Sequence, residues 1–349
     1  MKTQSISQPC ADAFIPAAGA AALVSRMLDA LPAFTHLFSP APQTRPAAPE
    51  SLVEQHVNQV AALVARHGPE PHEYAALNAW FRQVHQLASE GAFSPADLLA
   101  LRQAFGDAMS AGTLQGFVCV KPHGYAGDFE IIDRIYRQHV STDPKLARWD
   151  RYFHTHAGPK AVRNRKDYFH VLLEQKLRTQ GDRPLEILVV GSGPGRDLQE
   201  FLAAHPDSRV NVECLDIDPR AIAHARELNR EFADRVTFRQ QNALRFRPTK
   251  THDLVWAAGL FDYFSDRLFQ LLVRRLITAV APGGELVIGN FSTANPSRAY
   301  MEFGEWHLEH RTAETLEALA LGCGISPENI RVGSEPEGVN LFLHLARRP

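Results

Sequence analysis

A glycine-rich loop, Gly191-Ser-Gly193-Pro-Gly195, is the first feature that indicates chemistry, and it directly follows the apolar run 185–190. Glycine lets a backbone turn sharply, and it lets a ligand approach main-chain N–H groups at the start of the next helix. About 20 residues farther on, a second apolar run ends in the segment Cys214-Leu-Asp216-Ile-Asp218-Pro219. An acid there accepts hydrogen bonds from both ribose hydroxyls of a nucleoside lying across the strand ends. The loop and the acid predict a nucleoside-binding site, although their spacing alone would also suit a dinucleotide.

The elements that must position this site begin at Pro184, where short apolar runs start to alternate with helical segments at the spacing of βα units. A helix is predicted over 197–204, directly after the glycine loop. The predicted strands are 185–190, 210–215, 235–239, 252–257, 285–289, 330–332 and 339–345. A glycine-bounded segment separates the last two strands and predicts a hairpin, so the sheet should end antiparallel. The sequence therefore predicts the α/β fold class, with a doubly wound sheet.

The residues before about position 170 have helical periodicity and almost no alternation, which predicts an all-α region. Ser51-Leu-Val-Glu54 is a capping-box pattern, and Ser94-Pro95 indicates the start of another helix. One helix or two short ones are predicted over 13–38, followed by a proline-rich linker. We therefore predict a helical cap or lid domain over residues 1–170 and a cofactor-binding domain over residues 171–349.

Composition narrows the classes of protein. Apolar residues make up 45% of the chain and charged residues 22%, as in globular proteins. Lys plus Arg number 37 and Asp plus Glu number 39, and a net charge of -2 argues against nucleic acid or an anionic membrane as partner. The longest apolar stretches are too short or too interrupted to span a bilayer. Four widely spaced cysteines argue against a disulfide scaffold and a structural zinc site. No secretory signal is evident, which favours a cytoplasmic protein with a small-molecule substrate; the oligomeric state is left open.

The loop and the acid resemble the S-adenosylmethionine (SAM) site of class I methyltransferases. Gln241-Asn242-Ala243 follows the third predicted strand, where that family contacts the adenine edge, and Ala281-Pro-Gly-Gly284 matches the family's turn before the fifth strand. The resemblance covers residues 185–349. It implies a Rossmann-like class I methyltransferase sheet with SAM as cosubstrate or sole substrate, and no metal.

One position departs from that family. Many of its members carry an acid two residues before the first glycine, where this chain has Val189, and an acid appears instead just after the loop as Asp197. The usual partner of the methionine amino group is therefore missing or moved.

A narrower resemblance runs through Lys121-Pro-His-Gly-Tyr-Ala-Gly-Asp128, Arg163-Asn-Arg165, Gly259-Leu-Phe-Asp-Tyr263 and Asn290-Phe-Ser292. These segments look like a family that makes 3-hydroxy fatty-acid methyl esters, and they are also similar to azetidine-2-carboxylate synthases, which cyclise SAM and release methylthioadenosine. The resemblance does not choose between the two reactions.

These patterns give the cofactor-binding candidates. Arg163 and Arg165 precede the first strand and can bind the SAM carboxylate through two parallel hydrogen bonds, with solvated surface arginines as the alternative. The full set is Gly191, Ser192, Gly193, Gly195, Arg196, Asp197, Asp216, Ile217, Asn242, Ala243, Gly259, Phe261 and Arg165.

Four residues are candidate catalytic groups: Asn290, Tyr263, Tyr125 and Tyr152. Asn290 and Tyr263 fall at or just past the carboxyl ends of predicted strands, where ligands of such sheets bind, and their polar groups can orient a substrate or relay a proton. Tyr125 and Tyr152 belong to an aromatic-rich segment that could line a lid over SAM, where a ring face attracts a sulfonium by roughly 0.5 to 2 kcal/mol. The alternatives are a turn residue for Asn290 and core aromatics for the tyrosines.

Three functions fit the sequence. The lead is intramolecular cyclisation of SAM to azetidine-2-carboxylate in small-molecule, secondary-metabolite biosynthesis. The second is methyl transfer to the carboxylate of a 3-hydroxy acid, which releases S-adenosylhomocysteine. The third, a SAM-binding module without catalysis, is disfavoured because the cofactor loops are intact.

Overall fold

A computed structural model of the protein describes residues 51–348, and the predicted helix over 13–38 and its linker lie outside them. The described chain begins with seven helices and no strand before residue 185, as the sequence predicted. Their bounds are α1 Leu52–Ala65, α2 Tyr74–Ser89, α3 Pro95–Ala104, α4 Leu114–Val120, α5 Phe129–Tyr136, α6 Ala147–Thr155 and α7 Ala157–Thr179. Both predicted starts are confirmed, since the hydroxyls of Ser51 and Ser94 accept from main-chain N–H groups three residues later.

The second half of the chain forms a sheet of seven strands with helices on both faces, which confirms the predicted fold class. The strands are β1 Leu185–Val190, β2 Val210–Asp216, β3 Val236–Gln240, β4 His252–Ala258, β5 Val280–Phe291, β6 Ile330–Ser334 and β7 Asn340–Ala346. The later helices are α8 Arg196–Ala204, α9 Pro219–Leu228, α10 Asp266–Leu276, α11 Arg298–Phe303 and α12 Ala313–Leu321.

The strand order is β3-β2-β1-β4-β5-β7-β6, and β7 runs opposite to the other six strands. The final hairpin is thus present as predicted. β5 begins at Val280, five residues before the predicted start, because Val280 already pairs with His252 ahead of a register shift in this pair of strands. The carboxyl ends of β1, β2 and β4 lie side by side at one edge of the sheet, where ligands of such folds bind.

One aromatic-rich core joins the helices of the first half to the segment that follows β5. Phe81 and Phe105 of the helices pack against Tyr300 and Phe303 of α11 with ring centroids 4.8 to 5.6 Å apart. Helix α7 contributes its first half to this core, and it packs Phe169 and Leu173 on the sheet with its second half. The predicted boundary between residues 170 and 171 lies inside α7, and the division into two domains stays a prediction.

Candidate functional site

The glycine loop between β1 and α8 has a backbone that favours glycine at three positions. Gly191, Gly193 and Gly195 have φ of +69°, +55° and +65°. A Cβ on Gly195 would also lie 3.1 Å from Asn229 Nδ2 and 3.2 Å from Ala225 Cβ. The loop is therefore held tightly against α9, and its main chain is open to a ligand.

Asp216 is tied to this loop. Its Oδ2 accepts from Gly193 N at 2.9 Å, and its Oδ1 accepts from Asp218 N at 2.9 Å. A carboxylate has about four lone-pair sites, so Asp216 keeps acceptor capacity for a diol. Burial raises the pKa of Asp216, and its two main-chain donors oppose that rise. This geometry suits the predicted contact with ribose hydroxyls.

A cavity of about 510 Å³, including its open mouth, lies between the ends of β1 and β4 and the loop before α5. About 60 Å³ of it is space that water-sized molecules can enter. Its walls combine parts of the glycine loop, four aromatic rings and two ionisable side chains. Among the lining residues are Tyr125, Phe129, Tyr136, Val189, Gly191, Ser192, Gly193, Asp197, Trp256, Gly259 and Arg165.

Arg165 is the cation of this cavity. It is only 9% exposed, and its Nε donates to the Tyr136 hydroxyl at 3.2 Å. Within residues 51–348, no carboxylate lies within ion-pair distance of it. Gly259 has φ of +133°, and a Cβ there would lie 2.6 Å from Arg165 Nη1, so the missing side chain makes room for the guanidinium. Burial opposes the charge of Arg165, but Tyr136, Asp262 and Asp197 outweigh it and raise the pKa of the guanidinium, so the side chain stays charged and can bind an anionic ligand.

Asp197 is the acid of the same cavity. Its Oδ1 accepts from Leu198 N at 2.9 Å, and no cation in the described part of the chain forms an ion pair with it. Burial raises the pKa of its carboxyl, while His170 and Arg165 oppose that rise. Val189, at the position where many class I methyltransferases have their acid, also lines the wall. The cavity therefore has a carboxyl on the helix side, from Asp197, and an apolar side chain on the strand side, from Val189.

Ser192 adds a polar group without a protein partner. Its residue is 7% exposed, it lines the cavity, and its Oγ makes no hydrogen bond to the described residues. Buried hydroxyls are normally paired. A ligand with hydrogen-bonding atoms would satisfy it.

The loop between α4 and α5 closes one side of the cavity and carries Tyr125. The Tyr125 hydroxyl donates to Asp218 Oδ2 at 3.3 Å. Tyr263 holds the same loop, because its hydroxyl donates to Ala126 O at 2.9 Å and accepts from Trp306 Nε1 at 3.1 Å. Although Tyr263 is 41% exposed as a residue, its hydroxyl is enclosed, and burial raises its pKa. The loop is thus fastened at two adjacent residues, Tyr125 and Ala126.

Tyr152 lies away from the cavity. It is fully buried in the core of the helices, where its hydroxyl donates to Asn78 Oδ1 at 2.5 Å and its ring packs on Tyr300. Phe261 is likewise a core residue, packed against Phe269. Tyr152 is therefore a core aromatic, the alternative given above, and Phe261 is one as well. The burial of a ring in a helix or a turn leaves no pattern in the local sequence that would have indicated it.

Asn290 sits at the end of β5 as expected, but its amide is already occupied. Nδ2 donates to the carbonyls of Phe291 and Glu309, both at 2.9 Å, and Oδ1 accepts from Arg311 Nη1 at 2.7 Å. It belongs to a buried network that includes Asp262, whose Oδ1 accepts from Phe291 N at 2.6 Å. Burial raises the pKa of Asp262 to about 6.

The remaining candidates surround the cavity without lining it. Arg196 forms an ion pair with buried Asp133, which holds α8 against α5. Ile217 is 63% exposed just past β2, and Asn242 caps the turn that contains Ala243 through Leu244 N at 2.8 Å.

Several cavity residues, Tyr136 and Trp256 among them, were not predicted as site residues. Tyr136 was one of eight upstream aromatics and had no signal that separated it from the core rings. Trp256 lies inside the apolar run of β4, and only its position near the carboxyl end of the strand could have indicated a ligand contact.

Comparisons with known proteins agree with this geometry. Residues 187–284 match a family described as a methyltransferase domain. No curated protein matched the chain.

A possible exported protein from Bordetella parapertussis is 19% identical over 85% of this chain and 96% of its own, with a TM-score of 0.55, and shares the fold. The SAM-dependent methyltransferase SibL is 19% identical over 76% of this chain and 78% of its own, with a TM-score of 0.46. The CMeT domain of the citrinin polyketide synthase is 16% identical over 72% and 64%, with a TM-score of 0.47. The domain match and the strand order support a SAM-dependent enzyme with the class I methyltransferase fold.

Two further properties concern the residues that the structure describes. None of their helices is both long enough and apolar enough to cross a bilayer. No cluster of three or more His, Cys, Asp or Glu side chains among them is arranged to hold a metal ion.

Proposed function

We propose that this chain is a SAM-dependent enzyme that cyclises SAM itself, forming azetidine-2-carboxylate and releasing methylthioadenosine. One observation carries the proposal. Arg165 and Asp197 are mostly buried, face the same cavity, and have no ion-pair partner in the described chain. A cation and an anion placed in this way complement the carboxylate and amino group of an amino acid.

The cavity residues would hold the two ends of SAM. Arg165 would bind the α-carboxylate, with Tyr136 keeping the guanidinium in place. Asp216 would accept from the ribose hydroxyls while Gly193 N fixes its orientation. The rings of Tyr125, Phe129, Tyr136 and Trp256 would surround the sulfonium, which an aromatic face attracts.

Asp197 would act on the amino group. The raised pKa makes its carboxyl a stronger base, so it can accept one proton from the α-ammonium. When bound, SAM supplies a sulfonium that makes its γ-carbon electrophilic. The neutral amine then forms the N–Cγ bond while the Cγ–S bond breaks and its electron pair stays on sulfur. The products are a neutral thioether, the zwitterionic ring amino acid and the proton on Asp197, which passes to solvent.

An intramolecular reaction suits an enclosed site. The nucleophile is already tethered to the electrophile, so the residues around the cavity need only fold the methionine chain and exclude water. The loop that carries Tyr125 is fastened to Asp218 and Tyr263, which favours such closure.

The second candidate is methyl transfer from SAM to the carboxylate of a 3-hydroxy acid. The match of residues 187–284 to a methyltransferase domain favours it. It needs the same contacts to the ribose and the carboxylate, but it gives Asp197 no proton to remove from the α-amine.

Incubation of the purified protein with SAM alone tests the proposal. We expect methylthioadenosine and a four-carbon cyclic amino acid, detected by chromatography and mass spectrometry, above a heat-denatured blank. Asp197→Asn should lower turnover by about 100-fold, as expected for loss of a general base, while SAM affinity changes less than tenfold. Turnover that begins only when a hydroxy acid is supplied, with S-adenosylhomocysteine as product, would refute cyclisation.

A further inference from the structure

A second polar cavity lies at the N-terminus of α7 and shares no lining residue with the candidate SAM site. It measures about 620 Å³, including its open mouth. Helices α2 and α7, the segment before α11 and the β6–β7 connection form its walls. Its polar lining residues include Asn78, Arg82, His156, Lys160, Ser297 and Glu337.

The helix that opens into this cavity has an uncapped start. Helix α7 is 23 residues long, its first turn holds no acid, and no side chain caps it at His156. Gly158 N donates to Ser297 Oγ at 3.2 Å, and Pro159 has no N–H. The N–H of Ala157 has no acceptor among the described residues. The positive end of the helix dipole therefore faces the cavity with a free donor.

His156 gives an independent indication of a ligand. It lines the cavity, is only 7% exposed, and its Nε2 has no hydrogen-bond partner in the described chain. The ring is held in place, stacked on Tyr300 with centroids 3.8 Å apart and edge-on to Tyr152 at 4.6 Å. Burial lowers the pKa of His156 to about 3, so the imidazole is neutral and has one N–H to donate. Buried polar atoms normally have a hydrogen-bond partner, so a ligand is expected at Nε2 of His156.

The charged side chains of the cavity are mostly cationic. Arg82 is exposed and forms no ion pair with the described residues, and Lys160 Nζ is 3.9 Å from Glu337 Oε2. Because 3.9 Å is a loose contact, Lys160 remains available to a second anion. Glu337 is the acid at the rim and would compete with it.

From these contacts we propose that the cavity at the start of α7 is a second binding site, which takes the phosphate group of a small molecule. The helix N-terminus, His156, Lys160 and Arg82 supply donors from three sides, and oxyanions bind such helix ends. About 230 Å³ of the cavity is space that water-sized molecules can enter, which leaves room for the organic part of a small phosphomonoester beside the phosphate. This site does not depend on the reaction proposed above.

Calorimetric titration of the full chain tests the site, with inorganic phosphate in one arm and glycerol 3-phosphate in the other, at constant ionic strength. We expect saturable binding that S-adenosylhomocysteine does not compete away, with the monoester tighter than the free ion. Lys160→Ala and Arg82→Ala should each weaken binding about tenfold, since each removes a charge-assisted donor. Glu337→Gln should strengthen it about threefold, since it removes the competing acid. All three variants should keep wild-type SAM affinity.

Lys145→Ala is the matched control, because Lys145 is an exposed lysine that does not line the cavity and its loss changes the net charge equally. Its phosphate affinity should equal that of the wild type. Equal affinity in all variants, competition by S-adenosylhomocysteine, or no saturable heat with either probe would each overturn the proposal.

Discussion

Replacing Arg165 by methionine tests the amino-acid end of the proposed SAM site separately from its nucleoside end. Methionine keeps most of the side-chain volume and removes every donor of the guanidinium. Arg165 is 9% exposed, and its one hydrogen bond among the described residues goes to Tyr136, so the variant loses little internal bonding. Because Tyr136, Asp262 and Asp197 raise the pKa of Arg165 in spite of its burial, the charge contributes to stability, and we expect the free energy of unfolding to fall modestly.

The expected loss in binding follows from the contact that Arg165 would make. A hydrogen bond to a charged group contributes about 1.5 to 3 kcal/mol, which corresponds to about 10- to 150-fold in Kd. Ligands that carry the amino-acid end should therefore bind Arg165→Met more weakly by this factor. Ligands without that end should bind unchanged.

Calorimetry with two ligands measures this difference. S-Adenosylhomocysteine carries the amino-acid end, and methylthioadenosine lacks it. Arg163→Met is the control, because Arg163 lies on the same helix but contacts His154 rather than the cavity. Equal weakening of both ligands by Arg165→Met, or no weakening of S-adenosylhomocysteine, would refute the assignment of the carboxylate to Arg165.

Three further predictions concern the loop and the buried acids. Gly127→Ala would put a Cβ 2.3 Å from the Tyr263 hydroxyl, so it should lose more stability in thermal melting and more affinity in SAM titration than Gly124→Ala. Gly124 is the control because it also has positive φ but nothing within 4 Å of its added Cβ, and equal losses in the two variants would contradict the prediction. Asp262 has a pKa of about 6 when folded and an ordinary value of 3.8, so its protonation should contribute roughly 3 kcal/mol of stability that is lost between about pH 4 and 6. Urea unfolding should show this contribution as a difference between the pH profiles of the wild type and Asp262→Asn, and parallel profiles would contradict it. Tyr125→Phe should change SAM affinity less than threefold, since the hydroxyl contact of 3.3 Å is long. Tyr125→Ala should weaken SAM affinity up to about 30-fold, because it removes the ring face; a larger loss in Tyr125→Phe than in Tyr125→Ala would contradict a sulfonium contact.

The sheet and its loop could be predicted because their signals are local. The apolar run of β1, its closing glycines and the acid after β2 lie within about 30 residues, and parallel strands bring those ends together by rule. The position of Asp216 at the end of β2 and the sharp turn of the glycine loop could be predicted from the residue types alone. The same holds for the helix starts at Ser51 and Ser94, where a hydroxyl and an acid three residues apart define the cap.

The choice among aromatic residues could not be made from the sequence. Tyr125 and Tyr136 line the cavity, while Tyr152, in an equally aromatic segment, is core. Which ring faces the cavity depends on how the helices pack, and that is a tertiary property. The segment after α11 shows the same limit, since residues 305–310 are irregular chain that supplies Glu309 O to Asn290, a contact that no local spacing indicates.

The fate of the S-methyl group tests the central claim most directly. SAM labelled with ¹³C in that methyl group would be incubated with the protein and a mixture of 3-hydroxy acids, and the label followed by NMR and mass spectrometry. Cyclisation breaks the bond from sulfur to the γ-carbon, so we expect all label in the thiomethyl group of methylthioadenosine, alongside unlabelled azetidine-2-carboxylate. Label in a methyl ester, with unlabelled S-adenosylhomocysteine as the second product, would contradict the account.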